Sequence, residues 1–193
     1  MRGDAPSSSP YLTYLEALVP APAVAPLAAY LDLLASWTRR LNLTGAATAA
    51  ERVRLLVGEV APVAGMLPPG RLLDIGSGNG SPGLVLACLR PDLQATLLEP
   101  RTRRWAFLRE AARAAGRPDI EVLKARHDAY PGEPVETITL RALRLDRAEL
   151  RPMCRPGGRL VVFGTPAGDA TGWTPLPSPT PGRVEVFERD SST

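Results

Sequence analysis

The sequence predicts an α/β fold: a mostly parallel sheet with helices on both faces, preceded by a small N-terminal helical appendage. Three observations carry that expectation. From residue 71 onward, short apolar runs alternate with runs of helical period, the pattern of βαβ units. A glycine-rich turn joins the first apolar run to the following helix. Before residue 70 the apolar residues recur at three and four, with no strand-like stretch.

Taken in order, Met1 to Pro10 is charged and Ser-rich without apolar period, which predicts a disordered leader over 1–10. Tyr11 to Val19 fits a short helix, which Pro20 and Pro22 interrupt. Leu27, Tyr30, Leu31, Leu34, Trp37 and Leu41 mark an amphipathic helix over 24–43. Thr48 with Glu51 forms a capping box for a helix running to about Met66. Pro68-Pro69-Gly70 closes the appendage, assigned to 11–69, and the sheet domain follows over 70–193. Strands are expected at 71–75, 95–98, 120–123, 135–140, 159–163 and 184–187, and helices at 81–89, 103–115 and 147–153. The stretch from Gly164 to Pro181 reads as a loop. Trp37 and Phe107 are expected in the core, and Trp173 over the site or the base of that loop.

Composition excludes several classes. The chain has 193 residues, 45% of them hydrophobic, which suffices for a sizeable core. The opening residues carry no signal peptide and no apolar run reaches the roughly 20 residues a bilayer span needs. Cys88 and Cys154 lack metal or redox spacing, so a reduced, cytoplasmic, metal-free protein is expected. A net charge of +3 is too small to argue for nucleic acid by itself. With His127 as the one histidine, hydrolase triads and histidine metal sites lack support.

The informative segment is Asp74-Ile75-Gly76-Ser77-Gly78-Asn79-Gly80-Ser81-Pro82-Gly83. A strand-to-helix turn of this kind lets a ligand approach the backbone at the carboxyl edge of the sheet. Gly78, Gly80 and Gly83 match the dinucleotide fingerprint, a weak signal alone. Asp74 favours S-adenosylmethionine, because a carboxylate there suits a cationic amino group and repels a pyrophosphate. Glu99, ending the second strand, suits ribose hydroxyls in either class. A turn that holds no ligand is the third reading. Ala125-Arg126-His127-Asp128, after the third strand, falls where such folds meet an adenine.

Gly76-x-Gly78-x-Gly80 behind an acid resembles the first motif of class I S-adenosylmethionine-dependent methyltransferases, a Rossmann-like fold of seven strands. Further stretches resemble one family within that class, the bacterial small-subunit (16S) ribosomal RNA guanine-N7 methyltransferases, also called glucose-inhibited division protein B. They are Leu31-x-x-Leu34-x-x-Trp37 leading to Asn42-Leu43-Thr44, the glycine turn with its Pro82-Gly83 ending, and Leu97-Leu98-Glu99 followed by Arg103-Arg104-x-x-Phe107-Leu108. Arg126-x-Asp128 and Leu140-Arg141-Ala142 complete them. The chain departs from the family on the acceptor side. Arg54 to Glu59 lacks its histidine and its Asp-Ser, Leu140 replaces a serine, and Gly164-Thr165 stands where a lysine is usual.

The resemblance implies S-adenosylmethionine as cofactor, held by Asp74, Gly76, Ser77, Gly78, Gly80, Glu99, Arg126, His127 and Asp128. It implies small-subunit ribosomal RNA as substrate, contacted by Arg103, Arg104 and Arg141, with Arg141 acting in transfer. A monomer that binds neither membrane nor metal is expected. A divergent relative with another acceptor, or a binder without catalysis, are the competing functions.

Overall fold

The computed structural model describes residues 8–164 and 170–191. Seven strands form one sheet: β1 Gly70–Ile75, β2 Leu93–Leu98, β3 Glu121–Leu123, β4 Val135–Arg141, β5 Cys154–Phe163, β6 Trp173–Leu176 and β7 Val184–Arg189. Their order is β3-β2-β1-β4-β5-β7-β6. The first five pair in parallel; β7 runs antiparallel to both β5 and β6.

The helices are α1 Leu12–Glu16, α2 Ala21–Thr38, α3 Ala49–Arg52, α4 Ala61–Ala64, α5 Gly83–Leu89, α6 Thr102–Ala114 and α7 Arg147–Leu150. Residues 1–7 of the expected leader lie outside the described residues, and Ser9 turns the chain into α1 by accepting from Leu12 N–H. The short helix α1 ends at Glu16, ahead of Pro20 and Pro22, and these two prolines begin α2, Pro20 as its N-cap. A first-turn proline loses no intrahelical hydrogen bond. The Thr48–Glu51 capping box is present, but the helix it starts is short. It passes into a π-helical turn, Val53–Gly58, before α4.

Two expectations fail at prolines and glycines. The strand expected from Arg159 begins at Cys154 and carries Pro156-Gly157-Gly158 within it, with a register shift between Val135 and Thr137. The stretch read as a loop contains β6, which pairs only with β7. Pro175 is tolerated there because an edge strand has one unpaired side.

The parallel strands alternate their burial. Leu72, Leu97, Val161 and Phe163 face one layer; Leu73, Leu98, Leu160 and Val162 face the other. The first layer holds Leu84 of α5 and Phe107 of α6 together with Tyr11, Leu27, Tyr30, Leu31, Leu34, Val57 and Val63. The N-terminal helices therefore share one apolar cluster with that face of the sheet, because an apolar stripe must be buried against a neighbour. Trp37 meets Phe107 edge-to-face at 5.7 Å. Leu150 of α7 covers the opposite face, where Trp173 is buried and donates to the Arg147 carbonyl at 3.2 Å. Trp173 thus fastens the base of its loop and does not cover the crevice. Cys88 and Cys154 are buried and unpaired, and burial pushes both thiols up to about 12.

Candidate functional site

Strands β1 and β4 are neighbours, yet the chain moves on from them toward opposite edges of the sheet. Side chains just past their carboxyl ends flank a crevice, the position where open α/β sheets bind ligands. Here a cavity of about 420 Å³ opens.

Its floor is the glycine turn. The N–H groups of Gly76 and Ser77 both donate to the Leu98 carbonyl at 2.9 Å, which bends the chain away from β1. Gly76 takes φ +73°, and a Cβ there would lie 3.0 Å from Leu143 Cδ2. The positive φ is what calls for glycine, since the exposed Leu143 side chain could move aside. Asn79 Nδ2 donates to the Leu43 carbonyl at 3.1 Å, Ser81 Oγ to the Leu56 carbonyl at 2.7 Å. The turn is thereby fastened to the helical layer.

Glu99 is buried at the end of β2. Its Oε2 accepts from Gly78 N–H at 3.1 Å and its Oε1 from Arg101 N–H at 2.8 Å. Each oxygen keeps acceptor capacity for a ligand. Arg101, Arg104, Arg126 and His127 line the cavity beside it. His127 Nε2 lies 2.8 Å from Glu149 Oε2, so its ring is held by a carboxylate on α7. Arg126 and Asp128 form an exposed ion pair at 3.5 Å, an arrangement of little energetic weight.

At the far wall, Arg141 ends β4. Its Nη1 donates to the Leu55 carbonyl at 2.9 Å, Nη2 lies 3.5 Å from Glu59 Oε2, and its guanidinium carbon sits 4.9 Å from the Phe163 ring centre. Burial draws its pKa below the usual arginine value, and the Glu59 charge opposes that. Ala142, next in the chain, holds φ +52°. For a residue with a Cβ this costs on the order of 1 kcal/mol, and such strain gathers at functional sites.

The structure sorts the sequence-expected residues. Gly76, Ser77, Gly78, Glu99, Arg104, Arg126, His127 and Arg141 line the cavity. Asp74, Gly80, Arg103 and Asp128 do not. Asp74 is 1% exposed and lies beneath the floor. Its Oδ1 accepts from the Thr139 hydroxyl at 2.6 Å, and Oδ2 has no hydrogen-bond partner. Burial pushes Asp74 up to about 6, against the opposing pull of Thr139, Ser77 and the Gly83 N–H. It braces the turn from below instead of facing a ligand, because the strand's alternation turns its side chain toward the α5 layer. Gly80 packs against the Tyr30 ring. Arg103 points to solvent one position round the helix from Arg104, and Asp128 faces a separate hollow with Glu149 and Met153.

Sequence reasoning missed Leu43, Asn79, Ala142, Leu143 and Leu145 of the lining. Leu43 lay in the quoted Asn42-Leu43-Thr44, read only as the end of a helix. Leu143 and Leu145 carry no local signal, since apolar residues in a loop look alike until the loop closes on something.

The seven-stranded order, with a glycine turn after β1 and a carboxylate after β2, defines the class I S-adenosylmethionine-dependent methyltransferase fold. A solved RNA methyltransferase from Salinibacter ruber, in complex with S-adenosyl-L-homocysteine, shares that fold. Its TM-score is 0.52 at 21% identity, over 64% of this chain and 82% of that one.

Residues 24–163 match the family described as rRNA small subunit methyltransferase G, and the chain belongs to that family. Ribosomal RNA small subunit methyltransferase G of Methylobacillus flagellatus is 37% identical over 125 residues, covering 64% of this chain. The protein of that name from Leifsonia xyli subsp. xyli is 40% identical over 114 residues, covering 57% of this chain. The matches span 61% and 54% of the length of these two relatives.

Proposed function

We propose that the protein transfers a methyl group from S-adenosylmethionine to small-subunit ribosomal RNA, at N7 of a guanine. The observation that supports this most is the pairing, across one cavity, of a Glu99 carboxylate with an Arg141 guanidinium in a chain of this family. The cavity's roughly 420 Å³ lies within the range of small-molecule sites, roughly 300–1,000 Å³. Glu99 fits a ribose diol, because two backbone N–H groups fix both its oxygens and leave lone pairs for two hydroxyls. When bound, S-adenosylmethionine supplies an electrophilic sulfonium methyl.

This chain's residues then have to hold and orient. Gly76 and Gly78 leave room at the floor, and Ala125, Arg126 and His127 offer a wall for an adenine. Guanine N7 has an in-plane lone pair and no proton to lose at neutral pH. The acceptor side therefore needs a group that aligns the base at roughly 3–3.5 Å from the methyl, and no base. Arg141 is suited to that task, since a guanidinium binds O6, a phosphate or a base face. His127 is already engaged by Glu149. Among the described residues no group of His, Cys, Asp and Glu is placed to hold a metal ion, and no helix is long and apolar enough to cross a membrane.

The test is incubation with methyl-labelled cofactor and small ribosomal particles, free ribosomal RNA, or neither, followed by mapping of the label. Label on a guanine N7, with a single-turnover rate flat from about pH 6 to 8, is the expected result. Label on another atom, a rate rising with one ionisation, or tighter binding of NAD than of S-adenosylhomocysteine overturns the reading.

A further inference from the structure

The π-helical turn Val53–Gly58 ends directly before Glu59 and one helix short of β1. A helical segment that stops leaves its last carbonyls without partners inside the helix, and a π-turn alters which ones. Two of these carbonyls serve the site. Leu56 accepts from Ser81 of the glycine turn and Leu55 accepts from Arg141 Nη1, at 2.7 and 2.9 Å. One turn thereby contacts both the cofactor side and the acceptor side of the cavity.

Glu59 extends this contact with charge. Its Oε2 lies 3.5 Å from Arg141 Nη2, and its Oε1 accepts from Arg183 Nη1 at 3.0 Å. The side chains of Glu59 and Arg141 are 20% and 19% exposed, so water screens the pair only partly. The 3.5 Å separation balances charge without a close hydrogen bond, and Nε and Nη2 of Arg141 remain without hydrogen-bond partners. Phe163 supports the guanidinium at 4.9 Å. Arg141 is thus gripped at one edge and one face, with two donors left unpaired.

We infer that Glu59 is a positioning residue: with the Leu55 carbonyl it fixes the guanidinium of Arg141 at the cavity wall, and Arg183 steadies Glu59 in turn. The inference rests on the reading of Arg141 as the acceptor-side group. A free arginine side chain samples many rotamers, and a misplaced donor aligns the acceptor poorly. The carboxylate removes that freedom without entering the cavity, whose lining does not include Glu59.

Two measurements test it. In single-turnover transfer to ribosomal particles, Glu59→Gln lowers the rate about tenfold, while S-adenosylhomocysteine affinity stays within twofold. Glu59→Asp recovers part of the rate. In an Arg141→Ala background Glu59→Gln produces no further loss, because the two residues act as one unit. Separately, NMR of arginine-labelled protein, with Arg141 assigned by its loss in Arg141→Ala, shows distinct Nη signals in the wild type. Those signals average together in Glu59→Gln. An equal loss in both backgrounds, or Arg141 signals unchanged in Glu59→Gln, overturns the positioning role. A wild type that methylates no RNA overturns the functional reading instead, and the NMR comparison still decides whether Glu59 fixes Arg141.

Discussion

The phenol of Tyr30, fully buried in α2, donates a 2.8 Å hydrogen bond to the backbone carbonyl of Asn79 in the glycine turn. The ring edge also lies 3.2 Å from where a Cβ on Gly80 would stand. A residue of the N-terminal helical layer thus sets the height of the cavity floor. Burial pushes the phenol's pKa well up, so it remains a donor through the whole working range.

Tyr30→Phe should therefore do two things. Losing the hydroxyl leaves the Asn79 carbonyl unpaired and lowers stability by about 1 kcal/mol in urea titration. Calorimetry should show S-adenosylhomocysteine binding several-fold more weakly, because the floor is less well fixed. Unchanged affinity together with lowered stability would confine Tyr30 to packing.

Asp74 gives a pH signature. Its folded pKa, about 6, lies above its ordinary value of 3.8. The protonated form is thus favoured in the folded state, and the associated stability is fully present below pH 3.8. It is lost as pH rises through about 6. Relative to Asp74→Asn, the wild type should lose roughly 3 kcal/mol between pH 4 and 7, from a shift of about two pH units. Stability curves of the two proteins that stay parallel across this range would sink the prediction.

Gly83 begins α5 against Asp74. A Cβ there would lie 2.5 Å from Asp74 Cβ and 2.6 Å from Leu97 Cδ2, closer than atoms can stand. Both neighbours are buried, so neither can swing away. Gly83→Ala should destabilise by about 3 kcal/mol, the upper range for overpacking, with the melting temperature as readout. A variant as stable as the wild type would show that α5 can shift at no cost.

Arg103 and Arg104 separate experimentally. Arg103 is exposed outside the cavity, whereas Arg104 lines it, with Nη1 3.8 Å from the Cβ position of Gly78. Arg103→Ala should reduce the salt dependence of RNA binding by about one phosphate contact and leave S-adenosylhomocysteine affinity alone. Arg104→Ala should weaken S-adenosylhomocysteine as well. Identical behaviour of the two variants in both assays would contradict the division.

The sequence by itself determined the order of strands and helices around the glycine turn, and six of the seven strands. It also determined Glu99, Gly76, Gly78 and Arg141 as a set, because period, turn residues and strand ends are local properties written within a few neighbours. Tertiary structure alone decided the rest. The strand β6 exists because β7 offers it an edge, which no reading of Trp173 to Leu176 reveals. The segments before residue 70 reach the site through Leu43, which lines the cavity, and through Tyr30 and Leu55, which hold its floor and its wall from behind; these partners lie 36, 49 and 86 residues from the groups they meet. Asp74, the acid that pointed to the cofactor in the sequence, went beneath the floor. Whether a side chain at a strand end faces the crevice or the core is set by the pleat and by what packs above it, and those long-range contacts form only when the chain folds.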